Sequence, residues 1–583
     1  MSKSDIDILS EYYQYELSYL RSAGSDFARK FPKIARRLDL SHNESADPHT
    51  ERLIESVAFL TGKLQKQIDD QFPEIAIALL DILYQPLVLP TPSCLMAKFN
   101  IDISRAAKTP GAIAPKNTLL YAKSMSGETC SFRTAHDLQL WPIEISNVSI
   151  IQKERLPHYF ARSTYYLKIE VNAALCNPRK LRFYIHADAL LRGKIFSAIF
   201  STEESVIFQK DNTCKIISGA APVGVEDNES LFPYPPTIHK GFRLLQEYFA
   251  FADKFYGFDV QLPPDLTIAG DNAFYIPMSY DISMQMSTGN FSLSSVPAIN
   301  LFPKVTEPLR LDQRQVEYCL MPDYRRYSSN EIYTIEKIVA VNAENNDEIY
   351  VPEFFSCDYS LDNSTGIFWK SKRKKSYAPD AFGDDVYLSF IDMNFDPQYP
   401  ADKIFYGYTL CTNRGLANEI PVSGELQIEL SLPIKNIYCV NRPSPQKPSI
   451  KSGETLWKLI SALSLNAISF SQDGVRKIKD VLRVFAAESI LDMEVDAIVS
   501  VNSSMSARRS DEQTWREFVR GVDIEITFDD SIQNMGLPLS LALSRFLSSF
   551  TSINTFTDVI VKNTAKNGIL KKWKHQLGIK NYL

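Results

Sequence analysis

The hydrophobic residues of this chain change their spacing twice along its length, and this change constrains the fold more than any other feature. Over residues 1–90, apolar side chains recur every three or four positions, which is typical of amphipathic helices. From about residue 91 to residue 450 they recur every second position, which is typical of half-buried antiparallel strands. Helical spacing then returns. The pattern therefore predicts a multidomain α+β protein.

Three helices are predicted in the N-terminal segment. Asp47 and Pro48 offer an N-cap followed by proline at the first helical position, so a second helix is expected to begin there. A third helix is expected from Pro73, with Ile75 and Leu79 on one face. The apolar stripes of the first two helices are Tyr13, Leu17, Leu20, Gly24 and Phe27, and Leu53, Val57, Leu60, Leu64 and Ile68.

The three helices could pack on one another, but a helical segment at the start of a β-rich chain has little core of its own. Three tyrosines form an additional face on the first helix, beside its main stripe. We therefore predict that the segment packs against a helix of a partner protein. The candidate interface residues are Tyr12, Tyr15, Tyr19, Leu53, Val57, Leu60 and Leu64.

The middle of the chain is predicted to consist of antiparallel strands. Clear period-two runs occupy residues 165–171, 181–185, 386–390 and 426–430, and a helix is expected at 241–250. After residue 450 we expect helices beginning near Leu456 and after Gly474, a strand at 522–528, a helix at 539–550 and a last strand at 555–561.

Four domains follow from these changes of pattern. We predict an amphipathic helical segment at residues 1–90, a β-rich domain with an inserted helix at 91–300, a second β-rich domain at 301–448 and an α+β domain at 449–583. The proline-rich stretch from Asn441 to Pro448 is interpreted as a linker.

Charge and cysteine usage narrow the class of protein. The chain has 63 Lys+Arg against 69 Asp+Glu, a formal net charge of −6, whereas proteins that mainly bind nucleic acid are usually basic. The eight cysteines include no Cys-x-x-Cys pair, which favours reduced thiols in a cytoplasmic, reducing compartment. No signal peptide and no transmembrane helix are expected, because no long window is sufficiently apolar.

No motif for nucleotide binding, hydrolysis or zinc binding occurs, so no catalytic, cofactor-binding or metal-ligating residue is predicted. Gly219 and Gly224 have the spacing of a P-loop, but Val225 and Glu226 stand where Lys and Ser or Thr are required. No Gly-x-Gly-x-x-Gly, Gly-x-Ser-x-Gly or His-Glu-x-x-His is present.

Three weaker features remain open at this point. His136 could orient a catalytic thiol such as Cys130. The carboxylate pairs Asp384-Asp385 and Asp529-Asp530 are expected to be solvated turn residues, although paired acids also serve glycoside hydrolysis. The basic run Lys370–Lys375 is expected to be a mobile hairpin tip between Trp369 and Tyr377, although such a run could contact phosphates.

Several segments closely resemble the TssF family (also called ImpG or VasA), a baseplate subunit of bacterial type VI secretion systems. The opening of that family is similar to Tyr15–Arg21, Phe27–Ala35 and Asp47–Leu53 of this chain. Further collinear similarities are Cys130–Thr134 with Leu140–Pro142, Leu181–His186, Gly241–Phe249, Ile299–Phe302, Cys411–Arg414, Leu456-Trp457 with Leu463–Asn466, and Ser552–Phe556. Departures at Gln85, Val225 and Gly415–Ala417 indicate a divergent member.

The resemblance implies a structural, non-enzymatic role without a cofactor. Two TssF copies pair with one TssG-like subunit in a wedge, together with TssK-like and TssE-like subunits, around a VgrG-like spike. The wedge is the platform on which tube and sheath assemble. By analogy, residues 1–90 would join a helix bundle with the TssG-like subunit, and the baseplate would bring the chain to the cytoplasmic face of the inner membrane. Nucleic acid is not an expected partner.

Two other classes of protein stay as alternatives. A carbohydrate-active enzyme would use the β-rich middle and its carboxylates, and would hydrolyse a substrate without partners. A nucleic-acid-binding module would use Lys370–Lys375, and its affinity would fall steeply with added salt.

Overall fold

The computed structural model divides the chain into two compact units. The helical unit comprises Met1–Val88 and Ile450–Leu463, and the β-rich unit comprises Leu89–Ser449 and Ser464–Leu583. The residues described are 5–31, 33, 48–71, 73–155, 162–210, 213–234, 240–282, 286–312, 314–342, 348–354, 367–376, 382–392, 403–450, 453–463, 474–486, 492–509, 518–529, 536–549, 551, 555–564 and 566–577.

The predicted helices are present. The three of the N-terminal segment are α1, α2 and α3, and the one expected at 241–250 is α6. The described α-helices are α1 (Asp5–Lys30), α2 (Pro48–Gln71), α3 (Pro73–Tyr84), α4 (Ile103–Ala106), α5 (Ala189–Phe200), α6 (Lys240–Ala250), α7 (Gly453–Leu463), α8 (Gly474–Ala486), α9 (Asp492–Asp496) and α10 (Gly536–Ser548). Helix α7 belongs to the helical unit, where it packs against α3.

The described strands all lie in the β-rich unit. In chain order they are β1 (Cys94–Ile101), β2 (Ala112–Ala114), β3 (Leu119–Lys123), β4 (Thr129–Thr134), β5 (Leu138–Leu140), β6 (Ile143–Gln152), β7 (Tyr165–Cys176), β8 (Lys180–Ile185), β9 (Ser205–Lys210), β10 (Thr213–Gly219), β11 (Ala221–Pro222), β12 (Gly257–Gln261), β13 (Ile268–Met278), β14 (Phe291–Ser292), β15 (Ser295–Ile299), β16 (Phe302–Val305), β17 (Leu309–Arg310), β18 (Tyr318–Leu320), β19 (Glu331–Asn342), β20 (Glu348–Val351), β21 (Ile367–Lys375), β22 (Asp384–Asp392), β23 (Lys403–Thr412), β24 (Glu425–Ile428), β25 (Ile434–Cys439), β26 (Ile498–Arg509), β27 (Phe518–Phe528), β28 (Thr555–Asn563) and β29 (Lys566–Leu577).

A closed barrel forms one core of the β-rich unit. Its strands follow the order β1-β15-β4-β3-β24-β25, and β1 pairs antiparallel with β15 on one side and with β25 on the other. Alternate side chains of β1, including Leu95 and Phe99, point into the barrel core, as the period-two pattern requires. The barrel takes strands from both sides of the boundary proposed at residue 300, and the four-domain division stays a prediction.

Two further sheets carry the aromatic core of the unit. One has the strand order β10-β9-β13-β7-β6 and the other β11-β12-β8-β14. Phe183 of β8 stacks on Phe258 of β12 with ring centroids 5.1 Å apart, and Phe274 of β13 meets Phe183 edge-on at 6.0 Å. Such aromatic pairs bury large apolar areas with a defined geometry. The strands predicted at 165–171 and 181–185 are thereby confirmed as parts of β7 and β8.

Smaller sheets complete the middle of the chain. Strands β16-β23-β19-β20 form one sheet with β17 beside β23, β18-β22-β21 form another, and β2 pairs with β5. The strand predicted at 386–390 is confirmed within β22. The strand predicted at 426–430 ends earlier, at Ile428, because the chain bends at Glu429 and Leu430.

The C-terminal sheet has the order β26-β27-β28-β29. Strands β27 and β28 are parallel, and α10 lies between them in the chain and packs on β28. The prediction that 555–561 is the last strand is wrong, because β29 follows and pairs with β28. The period-two pattern does not predict β29 because the strand is rich in lysine, although Trp573 is buried in it. Phe550 lies outside the described residues.

Candidate partner interface on the helical unit

Helices α1 and α2 meet through small side chains. Ala58 of α2 is fully buried, and one turn later Gly62 lies against the backbone of α1. A Cβ atom at Gly62 would lie 3.1 Å from the Tyr13 backbone nitrogen and 3.2 Å from the Tyr12 carbonyl carbon. Helices approach this closely only where side chains are small, as ridges-into-grooves packing requires. The seam between α1 and α2 is therefore built around small side chains of α2.

Four large apolar side chains of α2 lie on its solvent-facing side. Their spacing of four, three and four residues places them along one face of the helix. The exposed fractions are 66% for Leu53, 41% for Val57, 60% for Leu60 and 57% for Leu64. We call these four residues the apolar stripe of α2. A helix of a soluble protein normally turns such a stripe toward a core, whereas α2 turns it toward solvent.

Helix α1 contributes exposed tyrosines. Tyr15 and Tyr19 are one helical turn apart and are 69% and 63% exposed, whereas Tyr12 is half-buried. Tyrosine combines a large apolar ring with a polar hydroxyl, which makes it common in protein interfaces. Of the seven residues predicted to form an interface, six are therefore exposed in the isolated chain. Their contact with a partner stays a prediction.

Sequence reasoning left several exposed apolar residues out of the candidate interface. Ile75, Leu79 and Leu83 form a row on α3, and Phe59 is exposed on α2. The signal for the row was present, since residues four apart share one face of a helix. The neighbouring row of α3, with Ala76, Leu80 and Tyr84, is equally apolar, and spacing alone does not say which of the two rows is buried.

An ion pair joins α1 and α2 beside their seam. The Arg21 guanidinium donates from Nε to Glu51 Oε1 at 3.1 Å, and Glu51 stands in the first turn of α2. Both side chains keep partial access to solvent, so the pair contributes at most about 1 kcal/mol. It fixes how α2 is oriented on α1 more than it stabilises the unit.

The prediction of solvated turn residues is wrong for Asp384 and Asp385, whereas Asp529, just after β27, is exposed. Asp384 and Asp385 lie in β22 and are almost fully buried. Asp385 Oδ1 accepts a hydrogen bond from Arg414 Nη2 at 2.9 Å, and Asp384 accepts one from Ser449. Buried carboxylates require such partners because an unpaired charge in the interior is costly. Of the other pair, Asp530 lies outside the described residues.

Cys130 and His136 occupy different environments. Cys130 packs in the barrel core, and burial raises the pKa of its thiol to about 12. The His136 ring is held by the Asp137 carbonyl, 2.9 Å from Nδ1, and by Arg182 Nη1, 3.2 Å from Nε2. Burial, with a smaller contribution from Arg182, lowers the pKa of His136 to about 4, so the ring is neutral at pH 7. A thiol with so high a pKa is not an activated nucleophile.

The basic run is not a mobile hairpin tip, and that prediction is wrong. Residues Lys370–Lys375 belong to β21, which pairs residue for residue with β22. Arg373 Nη1 donates to the Ile332 carbonyl at 2.9 Å, and Lys374 forms an ion pair with Glu317. The cations are therefore part of a regular strand with intramolecular partners.

The described ranges contain no cluster of three His, Cys, Asp or Glu side chains suited to a metal ion. The seven cysteines in those ranges are all free, and five of them are buried. None of the described helices combines the length and apolar character needed to cross a bilayer. The most distinctive surface of the described chain is thus the exposed apolar face of the helical unit.

A large α+β protein that buries small residues and exposes large apolar ones on its helices has the surface of a chain that assembles with others. The family model "Type VI secretion system, TssF" matches residues 6–580. The chain therefore belongs to the TssF family of type VI secretion systems.

Individual relatives agree with this assignment. The chain is 26% identical over 613 aligned residues to the type VI secretion system component TssF1 of Pseudomonas aeruginosa, covering 98% of each protein. Its fold is similar to a chain in a TssK-TssF-TssG baseplate subcomplex solved by cryo-electron microscopy, with a TM-score of 0.70, 19% identity, and coverage of 91% of this chain and 99% of that one. A chain of another type VI baseplate complex gives a TM-score of 0.57 at 18% identity, covering 97% and 99%.

Proposed function

We propose that this chain is a structural wedge subunit of a type VI secretion baseplate and that its helical unit packs against a TssG-like subunit. The exposed apolar stripe of α2 carries the proposal, because it is the part of the helical unit that a partner helix would cover. Membership of the TssF family supports the baseplate role, and a related fold occurs in a complex named for TssK, TssF and TssG.

The energetics indicate how large the interface must be. Covering the exposed part of each stripe residue contributes roughly 1 kcal/mol, or about 4 kcal/mol for all four. Association itself costs at least about 4 kcal/mol in lost freedom of motion. The stripe alone therefore does not hold a partner. A stable joint needs further apolar area, which Tyr15, Tyr19 and the row on α3 offer.

The finer assignments follow the family resemblance. We expect a second copy of this chain, TssK-like and TssE-like subunits and a VgrG-like spike in the same assembly. The platform would start the polymerisation of tube and sheath, and a change in its geometry would release the sheath. On this proposal the chain works in the cytoplasm, is recruited through the baseplate to the inner membrane, and is not an enzyme.

Co-purification tests the joint with the TssG-like subunit. The chain is co-expressed with an affinity-tagged TssG-like protein of the same bacterium, as wild type, Leu60→Asp or Leu53→Asp. A carboxylate on the stripe would have to be buried without a partner, so both variants should lose the complex. Val316→Asp is the matched control, because Val316 is equally apolar and highly exposed but lies in the β-rich unit.

Circular dichroism separates loss of the complex from loss of the fold, since an aspartate at an exposed helical position should leave the spectrum unchanged. Retention of the complex by folded Leu60→Asp and Leu53→Asp proteins would place the joint elsewhere.

A further inference from the structure

The β-rich unit contains a cavity of about 500 Å³ that plays no part in the proposal above. Its walls come from β5, β8, the end of β12, the start of β15 and the turn around Asn228. The volume lies within the range of sites that hold small molecules or short peptide segments. The lining is mixed, with one apolar wall and a rim of charged side chains.

Trp141 and three buried aliphatic side chains form the apolar wall. Leu138, Ile143 and Leu181 are almost fully buried, whereas the Trp141 ring is partly exposed to the cavity. Behind the ring lies Gly111 in a left-handed conformation (φ 80°), where a Cβ atom would be 2.9 Å from the indole Cη2. Any other residue at this position would strain the left-handed backbone and its Cβ atom would collide with the indole, so glycine is required. The backbone thus fixes the indole as a rigid apolar surface.

The floor of the cavity is an organised ionic network. Arg182 donates from Nε to Asp259 Oδ1 at 2.7 Å and also binds Glu229, and both carboxylates are buried. The neutral His136 ring accepts a further hydrogen bond from Arg182. Because Asp259 and Glu229 satisfy the charge of Arg182, the floor does not itself require an anion.

The rim carries three further cations. Lys180 pairs with Asp259 at 3.2 Å, whereas Lys116 is held by neutral acceptors. Lys116 Nζ donates to the Asn228 carbonyl and to Ser230 Oγ, each at 3.1 Å, and both acceptors are neutral. Over the described ranges, no carboxylate lies within ion-pair distance of Lys116 Nζ. The ammonium group is about half-buried, and this burial lowers the pKa of Lys116. An ammonium group has three N–H donors, so one remains for a ligand. Arg179 stands exposed on the same rim.

The balance of charges in the lining limits how much negative charge a ligand of the cavity can carry. Four cations line the cavity, but so do the carboxylates of Glu229 and Asp137, and Asp259 lies behind the floor. A polyphosphate would be repelled by these acids, whereas one carboxylate matches the small positive excess. The rigid apolar wall suits a neighbouring aliphatic or aromatic group.

We propose that the cavity binds a glutamate or aspartate side chain of a partner protein's peptide segment, flanked by apolar residues. Its carboxylate pairs with Lys116 and Arg179, and an adjacent apolar side chain packs on Trp141. The carboxylate offsets the cost of burying the Lys116 charge, and the indole provides an apolar anchor of the kind that dominates peptide recognition. The site lies in the β-rich unit, so it does not depend on what covers α2.

The test uses the immobilised full-length chain and two libraries of terminally blocked tripeptides. In the first, glutamate stands between two residues drawn from Leu, Ile, Phe and Tyr, and in the second, glutamine replaces glutamate. Bound peptides are eluted and quantified by mass spectrometry. The glutamate library should be retained roughly tenfold more than the glutamine library, the effect of one charge-assisted contact.

Lys116→Met and Arg179→Gln should each remove most of that difference, and Lys108→Met, an exposed lysine outside the lining, should keep it. Arg179 is exposed, so its variant will fold even if Lys116→Met does not. Equal retention of the two libraries, or an unchanged preference in Arg179→Gln, overturns the proposal. The proposal is also overturned if AMP or glutarate displaces bound peptide at a lower concentration than the free peptides do. The cavity would then prefer a nucleotide or a free dicarboxylic acid.

Discussion

The helical unit and the β-rich unit distribute their large side chains in opposite ways. Among the described residues, the largest fully buried side chains apart from Tyr84 all belong to the β-rich unit, and they include Phe183, Tyr248 and Arg243. The helical unit instead closes its α1–α2 seam on Ala58 and Gly62 and leaves the apolar stripe of α2 exposed. The β-rich unit therefore keeps its largest aromatic side chains in its interior, whereas the helical unit leaves a continuous apolar stripe exposed, as surfaces that bind other proteins do.

The largest expected effect lies in the aromatic core of the β-rich unit. Phe183→Ala removes a ring that is stacked on Phe258 and should lower the free energy of unfolding by about 4 kcal/mol. Leu60→Ala in the helical unit should change it by less than about 0.5 kcal/mol, because Leu60 is mostly exposed. Urea titration of both variants checks the contrast. A large loss in Leu60→Ala would mean that α2 is already covered within the chain.

A second contrast concerns ion pairs. Arg414→Met leaves the buried Asp385 carboxylate without its cation and should cost about 3 kcal/mol in urea titration. Arg21→Met breaks the partly exposed pair with Glu51 between α1 and α2 and should cost under about 1 kcal/mol. Equal losses of stability would contradict the view that the ion pairs that contribute most to stability lie in the β-rich unit.

A smaller effect should appear as pH dependence. Burial raises the pKa of Glu494 from 4.5 to about 7, next to the Tyr248 hydroxyl at 2.7 Å and with Arg192 nearby. The folded state favours the protonated acid, so its stabilising contribution is complete below pH 4.5 and is lost as pH rises to about 7. Between pH 5 and pH 7.5, wild type should lose roughly 2 kcal/mol relative to Glu494→Gln.

The comparison with Glu494→Gln isolates this group, because other titrations occur in both proteins. The pKa values of His136 and His186 are lowered to about 4 by burial, so their contribution runs the other way and is lost as pH falls below 6.5. Parallel pH profiles for wild type and Glu494→Gln would show that Glu494 does not titrate as assigned.

Sequence patterns predicted secondary structure well, but they predicted poorly which charged side chains are buried and which residues they pair with. Period two located β7, β8 and β22, because alternation depends only on which face of a strand is buried. It did not show that Asp384 and Asp385 are interior, because their partner Arg414 follows them by about thirty residues. Lys370–Lys375 looked like a loop by charge, yet its pairing with β22 decided its structure.

The two proposed sites also differ in how far the sequence could predict them. The apolar stripe of α2 could be predicted, since its spacing lies within one helix. The cavity could not, because Lys116, Trp141, Arg179 and Arg182 come together only through the packing of separate strands.

Hydrogen–deuterium exchange tests the central claim, that α2 is completed by a partner. Amide exchange across Pro48–Gln71 is measured by mass spectrometry in the chain alone and in the complex purified with the TssG-like subunit. We predict that exchange in this segment slows by roughly tenfold or more in the complex, because a packed helix opens less often. Unchanged exchange across α2, in a complex whose β-rich unit becomes protected instead, would contradict the account.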